Sequence, residues 1–194
     1  MLNGKEAALA VLTACGSSIW AAQLTFDDLP LNAPPPGITA DGVTVTFEGL
    51  ITIAEHSSEY GFGGGAGDNT VYKTNAVPFG GRFLVNEGFA KAEHGPSGFV
   101  RTIRFSRAVT AVSMTVADID AGEGVTIEAL DAANRVIRSL VYPADTNADS
   151  KALSITFGNL SDIRIIRITG DDPIGIDLLS FTPSEAAPEC PPSS

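Results

Sequence analysis

Apolar and polar residues alternate in short segments along most of the chain. In "VTVTF", for example, Val43, Val45 and Phe47 alternate with threonines, as expected for a strand with one buried face. Such segments recur roughly every ten residues and are separated by Gly, Pro, Asn and Asp, which favours an all-β fold, a single antiparallel β-sandwich or jelly roll. The pattern predicts no amphipathic helix, and it predicts strands at 23–26, 43–47, 50–54, 71–73, 82–85, 99–105, 111–117, 125–131, 136–142, 152–157, 163–169 and 176–181.

The length of 194 residues leaves room for one such domain, which we place at residues 23–183. Residues 184–194, "SEAAPECPPSS", have the Pro/Ser-rich composition of a disordered tail. Residues 1–21 are expected to form a signal peptide, because Lys5 precedes an apolar run too short to span a bilayer.

A second processing site competes with the first. "LTAC" resembles a lipobox, which would make residues 1–14 a lipoprotein leader and Cys15 a lipid anchor. Cys15 and Cys190 are the two cysteines of the chain, so no disulfide framework is expected inside the domain. We therefore expect a protein that is secreted, extracellular or bound to the cell surface.

The charge balance is acidic, with 12 Lys+Arg against 23 Asp+Glu and a net charge of −11. Such a chain repels polyanions, so nucleic acid is not an expected partner, whereas cations are attracted. The same charge also keeps an exported protein soluble.

The stretch "DIDAGEGVTIEA" tests whether the acids form a helical calcium loop. Asp118 and Asp120 fit positions one and three, but Glu123 stands where glycine is needed and Ala129 where glutamate is needed. We interpret these acids as residues at strand ends and in the connecting loop, without a catalytic role.

Other motifs give weaker indications. The run "GFGGGAGDNT" lacks the Gly-Lys-Ser/Thr end of a phosphate loop, and His56 and His94 fit neither a nucleophile elbow nor a zinc motif. Tyr60, Phe62 and Tyr72 flank or belong to this glycine-rich region. Since binding sites on sandwiches are usually built by loops, these three aromatic residues are the predicted ligand contacts.

The ordered segments "LTFDDLP", "DGVTVTF", "GFVRTIRFSRAVTAVSMTVADID", "VTIEALDAANRVIRS", "IRIIRITG" and "IGIDLLSF" resemble one known family. They are similar to the galactose-binding-like β-sandwich of exported bacterial PEP-CTERM-type surface proteins. The C-terminal sorting signal of that family, a Pro-Glu-Pro motif with an apolar helix and a basic end, is missing from this sequence. The resemblance covers most of residues 23–183.

The wider jelly-roll group implied by this resemblance includes carbohydrate-binding modules that hold a structural Ca²⁺ between the first and last strands. Pairing of those strands here would bring Asp27 and Asp28 near Asp177, and carboxylate oxygens suit Ca²⁺. The alternative is that Asp27 and Asp28 begin a turn before Pro30 and that Asp177 faces solvent.

We expect a secreted binding or surface module without catalysis, whose partner is a polysaccharide or cell-surface glycan. One alternative is a small extracellular polysaccharide-cleaving enzyme that uses paired carboxylates. Another is a structural or adhesive surface protein.

Overall fold

The computed structural model describes residues 22–31, 33–54, 81–86, 99–117, 124–142, 152–170 and 174–184. These residues form strands and turns without a helix, which confirms the all-β prediction. Within this part of the chain we find no helix with the length and hydrophobicity needed to span a bilayer.

The described strands, in chain order, are β1 (Ala22–Leu24), β2 (Ile38–Ala40), β3 (Val43–Glu48), β4 (Leu50–Ala54), β5 (Arg82–Asn86), β6 (Phe99–Ala117), β7 (Val125–Leu130), β8 (Val136–Tyr142), β9 (Ala152–Phe157), β10 (Ile163–Gly170) and β11 (Gly175–Pro183).

The long strand β6 joins the two layers of the sandwich. Its first half pairs with β3 and β10, and β10 continues the first layer through β7 to β8. Its second half pairs with β9 and β11, and β11 continues the second layer through β5 to β4. Every described pairing is antiparallel.

The prediction of two separate strands at 99–105 and 111–117 was wrong, because β6 runs through both. It bends at a bulge in its pairing with β10. There β6 runs from Arg104 to Val109 over the same distance in which β10 runs from Ile165 to Ile163. Ser106 stabilises the bend: its hydroxyl accepts the Thr44 N–H at 2.8 Å, and its carbonyl accepts a guanidinium N–H of Arg164 at 2.9 Å. Polar residues therefore mark a bend here and not a strand end.

One continuous apolar core lies between the layers. Inward-facing residues of the first layer, such as Ile103 and Ile168, belong to the same buried cluster as Val112 and Phe181 of the second. Phe26, just after β1, packs edge to face on Phe47 of β3 with ring centroids 5.8 Å apart. Burial of these side chains is the main stabilising contribution to the fold.

The other predicted strands in the described ranges are present, with ends shifted by at most a few residues. The sequence pattern missed β2, a three-residue strand that pairs with β3. Pairing of the first strand with the last is confirmed, with Ala22 opposite Phe181 and Leu24 opposite Leu179. The predicted strand at 71–73, the leader and residues 185–194 lie outside the described residues.

Candidate functional site

A bulge in β11 places an acid inside the sandwich. Between Asp177 and Ser180, β11 advances three residues while β6 advances two, from Thr115 to Ser113. The backbone of Leu178 takes up the extra residue with a φ of 52°, a left-handed conformation that is uncommon for a bulky side chain. Asp177 is only 4% exposed.

The bulge lies where β11 changes its neighbour on one edge. Ile176 is paired with Leu84 of β5, whereas Leu179 is paired with Leu24 of β1. Asp177 therefore lies at the junction of β1, β5 and β11, at a position where neither β5 nor β1 pairs with β11.

Asp27 enters this junction from the turn that follows β1. The turn is closed by a hydrogen bond from the Leu29 N–H to the Phe26 carbonyl at 3.1 Å, so Asp27 and Asp28 are its central residues. One carboxylate oxygen of Asp27 accepts the Arg82 N–H at 2.9 Å, and the Arg82 guanidinium donates to the Leu29 carbonyl. This confirms the predicted turn before Pro30.

Gly81 is required for the close approach of Asp27. A Cβ atom at this position would lie 2.0 Å from Asp27 Oδ1, and its φ of 110° is one that other residues rarely adopt. The residue before β5 therefore allows the carboxylate to contact the first backbone amide of that strand.

The electrostatics of the junction are unfavourable to a charged Asp177. Burial raises the pKa of Asp177 to about 6, the Leu178 N–H opposes the rise by a hydrogen bond, and the Asp27 charge adds to it. The alternative that Asp177 faces solvent is wrong, because the β11 bulge turns it inward. The Asp27 charge acts on Asp177, so two of the three predicted metal-site acids lie near each other, with Asp177 buried and both Asp27 and Asp28 exposed.

The described residues do not supply a complete calcium shell. Ca²⁺ takes six to eight oxygens, while this junction offers the carboxylates of Asp27 and Asp177 and the Leu29 carbonyl, which already accepts from Arg82. No group of three or more His, Cys, Asp or Glu residues that could hold a metal occurs within the described ranges. The calcium site remains a prediction whose further ligands would come from outside those ranges.

The junction also lies at the ends of the long segment that connects β4 to β5. β4 and β5 pair directly, with Ala54 opposite Arg82, and the Arg82 N–H contacts Asp27, so the segment 55–81 connects two strand ends that lie beside this junction. Hairpin loops usually contain about two to five residues, and longer connections are commonly functional. Tyr60, Phe62 and Tyr72 belong to this connection and lie outside the described residues.

Two acids of the stretch "VTIEALDAANRV" have structural partners. The Glu128 carboxylate is 2.7 Å from the Arg167 guanidinium on the neighbouring strand. Asp131 accepts the N–H groups of Ala133 at 2.8 Å and Arg135 at 2.9 Å, and these hydrogen bonds hold its pKa below the usual value. Asp118, Asp120, Glu123, His56 and His94 lie outside the described residues.

Sequence reasoning did not identify Gly81, Arg82 or Leu178 as parts of the junction. The only local signal is the Gly-Gly pair before "RFLVN", since glycine next to a strand often marks a close backbone approach. No local signal marks Leu178, because leucine is the least expected kind of residue at a left-handed position.

Comparison with known proteins gives likenesses in fold only. No protein-family model and no curated sequence matches the chain. Similar solved structures include the K1 cleaved adhesin domain of Lys-gingipain from Porphyromonas gingivalis W83, at 12% identity over 86% of this chain and 99% of that one, with a TM-score of 0.49. A Streptococcus pneumoniae fucose binding module, SpX-3, is 12% identical over 53% and 73% of the two chains, with a TM-score of 0.38. TmCBM61, solved in complex with β-1,4-galactotriose, is 11% identical over 74% and 90%, with a TM-score of 0.37. These scores carry no conclusion about the ligand of this chain.

Proposed function

We propose that this protein is an exported, non-catalytic β-sandwich module that contacts a polysaccharide or cell-surface glycan through residues 55–81. The observation that carries the proposal is the direct pairing of β4 with β5 across this long connection. Two strands paired in this way can be joined by a loop of about two to five residues, whereas residues 55–81 connect them here.

The composition of the connection supports a glycan as the ligand. It contains Tyr60, Phe62 and Tyr72 together with a glycine-rich run and few basic residues. Aromatic rings offer flat apolar surfaces with a polar edge, and glycine allows backbone amides to approach a ligand closely. Both features suit a neutral, hydroxyl-rich ring.

The apolar run after Lys5 supports export, with a cleaved signal peptide or a lipidated Cys15. The ordered motifs that resemble PEP-CTERM-type surface proteins support the same compartment. On this proposal the acidic surface keeps the exported module soluble.

The test combines a glycan array with an assay for reducing-sugar release on the same purified protein. Tyr60→Ala and Tyr72→Ala should each weaken binding about twofold to tenfold, since a ring contact contributes about 0.5–1.5 kcal/mol. Tyr60→Phe is the matched control, because it retains the ring and should retain most of the affinity. Binding that is unaffected by both alanine variants would overturn the proposed surface.

The same experiment distinguishes the enzymatic alternative. If the protein releases reducing sugars, and if Asp118→Asn or Asp120→Asn abolishes the release without lowering the melting temperature, the module is an enzyme. We expect no release, and unchanged binding in both asparagine variants.

A further inference from the structure

Strand β8, with seven residues, is the longest described strand that has a single described pairing partner. It pairs with β7 on one side, and no second pairing partner occurs among the described residues. Edge strands expose unpaired N–H and C=O groups, and proteins commonly protect them by making them short or by adding lysine or proline. β2, at the opposite edge of the same layer, has only three residues, whereas β8 has seven, "VIRSLVY".

The β8 edge is also apolar. Five large hydrophobic side chains are exposed in the described part of the chain, and three of them, Val136, Ile137 and Val141, are on β8. Val141 is the most exposed of the five, at 71%. Leu140 and Tyr142 point toward the core but are only partly buried, as expected for inward-facing residues on the outermost strand.

The bulge at Ile137 limits where another strand can pair. Against β7, Arg138 is opposite Ala129 and Val136 is opposite Leu130, so Ile137 is the extra residue. Arg138–Tyr142 is therefore the regular part of the edge. A bulge commonly terminates pairing, so an added strand would pair along this run of about 17 Å.

We propose that the regular run of β8 pairs antiparallel with β8 of a second copy of this chain, about a twofold axis at Leu140. In that register Leu140 meets Leu140 of the partner subunit, and Arg138 meets Tyr142 twice. An isologous contact requires this reciprocity, in which residue i meets residue j and j meets i.

The charges favour a second copy in this register. The chain carries a net charge of −11, so copies repel each other at most surfaces, but the run from Arg138 to Tyr142 has no acid and one positive charge. The register places each Arg138 beside an aromatic ring, a favourable arrangement for a guanidinium. The two Arg138 side chains lie at opposite ends of the run, about 14 Å apart along the strands, so their repulsion is screened at physiological salt.

The size of the contact predicts a reversible dimer. A strip about 17 Å long and about 10 Å wide on each copy buries a few hundred Å², well under the roughly 1,200 Å² of stable complexes. The main-chain hydrogen bonds and the exposed apolar side chains would favour association only at high protein concentration. Display at high local density on a surface would provide such a concentration.

Sedimentation of the full chain from about 1 µM to about 1 mM, the range of weak complexes, tests the dimer. We expect a concentration-dependent dimer that Val141→Lys weakens at least about tenfold, because it places lysines along the edge. Val100→Lys is the matched control: Val100 is 58% exposed on β6, away from the edge, and its replacement should leave the dimer unchanged. A monomer at every concentration, or equal weakening by both variants, would overturn the proposal.

Cross-linking tests the register. In the proposed pairing Ser139 of one copy faces Val141 of the other. With Cys15 and Cys190 replaced by serine, a mixture of Ser139→Cys and Val141→Cys chains should form disulfide-linked heterodimers faster than either chain alone forms homodimers. Cross-linking that is as fast within one variant would refute this register.

Hydrogen exchange tests whether another segment of the same chain, and not a second copy, covers β8. Amides of β8 should exchange more slowly at high protein concentration, and Val141→Lys should remove the difference. Slow exchange at every concentration would mean that another segment of the same chain covers β8, and this outcome also overturns the proposal.

Discussion

Replacement of Asp177 by asparagine should stabilise the protein at neutral pH. The side chain is 4% exposed, and burial together with the Asp27 charge raises the pKa of its carboxyl from 3.8 to about 6. Asparagine has nearly the same shape, carries no charge and can still accept the Leu178 N–H. The variant therefore removes the electrostatic cost and leaves the packing in place.

The size and sign of the effect follow from proton linkage. Between pH 3.8 and about 6 the folded state binds more protons at Asp177 than the unfolded state, so stability decreases as the pH rises through this window. The full cost above the window is at most about 3 kcal/mol, at about 1.4 kcal/mol per unit of pKa. The advantage of Asp177→Asn should then be up to about 3 kcal/mol near pH 7.5, and only about 1 kcal/mol near pH 4.5.

Thermal and urea unfolding in the presence of a chelator would measure this advantage. For a domain of this size, about 3 kcal/mol corresponds to a rise of up to about 10 °C in the melting temperature. Asp28→Asn is the matched control, because Asp28 is the exposed neighbour of Asp27 in the same turn. An Asp177→Asn variant no more stable than the parent near pH 7.5 would refute the assignment of a desolvated carboxylate.

The calcium prediction is tested on the same two proteins. A ligand bound only by the folded state raises the melting temperature by mass action. If Ca²⁺ binds through Asp27 and Asp177, millimolar calcium should stabilise the parent protein and not the Asp177→Asn variant. Equal shifts in both proteins, or no shift in the parent, would remove Asp177 from any metal site.

Three further predictions concern other positions. Gly81→Ala should destabilise the protein by about 1–3 kcal/mol, since the new Cβ displaces the Asp27 carboxylate and the φ of 110° strains the backbone; an unchanged urea midpoint would contradict this. Asp131→Ala should lower the melting temperature at neutral pH and much less in acid, where the parent carboxylate is protonated; a loss that persists equally in acid would exclude the charge as its cause. Mass spectrometry of the exported protein should find its N-terminus at Ala22 or at a lipidated Cys15, and recovery of intact Met1 would exclude the signal peptide.

The strands were predictable where side-chain alternation reflects burial directly. Val43, Val45 and Phe47 are buried and alternate with more exposed residues, as the sequence pattern predicts for a strand with one covered face. The turn at "DAANRV" likewise follows from local chemistry, because Asn134 tolerates the left-handed conformation and adopts a φ of 61° there. In both cases local chemistry and tertiary packing favour the same structure.

Prediction failed where partners distant in the sequence decide the local structure. Ser106 interrupts the alternation of apolar and polar residues and suggests a strand end. Its hydroxyl and carbonyl instead accept hydrogen bonds from Thr44 and Arg164, so β6 continues through the bend. Likewise, the alternation of "IGIDLLSF" breaks at the β11 bulge, which only the register with β6 defines. A period-two pattern cannot locate an extra residue whose cause lies on another strand.

Several features that oppose stability coincide at the junction of β1, β5 and β11. A buried carboxylate near a second carboxylate and a leucine in a left-handed conformation each disfavour the folded state relative to ordinary alternatives, and Gly81, with a φ of 110°, stands where another residue would be strained. Natural sequences usually agree with their fold at every level, and departures concentrate where another requirement acts. The end of β4 and the start of β5, which the segment 55–81 connects, lie at this junction. A requirement to hold Asp27 against the first amide of β5 explains Gly81, because a side chain there would displace the carboxylate, and it places a second charge near Asp177, whereas the leucine conformation belongs to the β11 bulge. If this arrangement serves the ligand contact proposed for residues 55–81, Asp177→Asn should stabilise the fold and at the same time change that binding, and an unchanged affinity would separate the junction from binding.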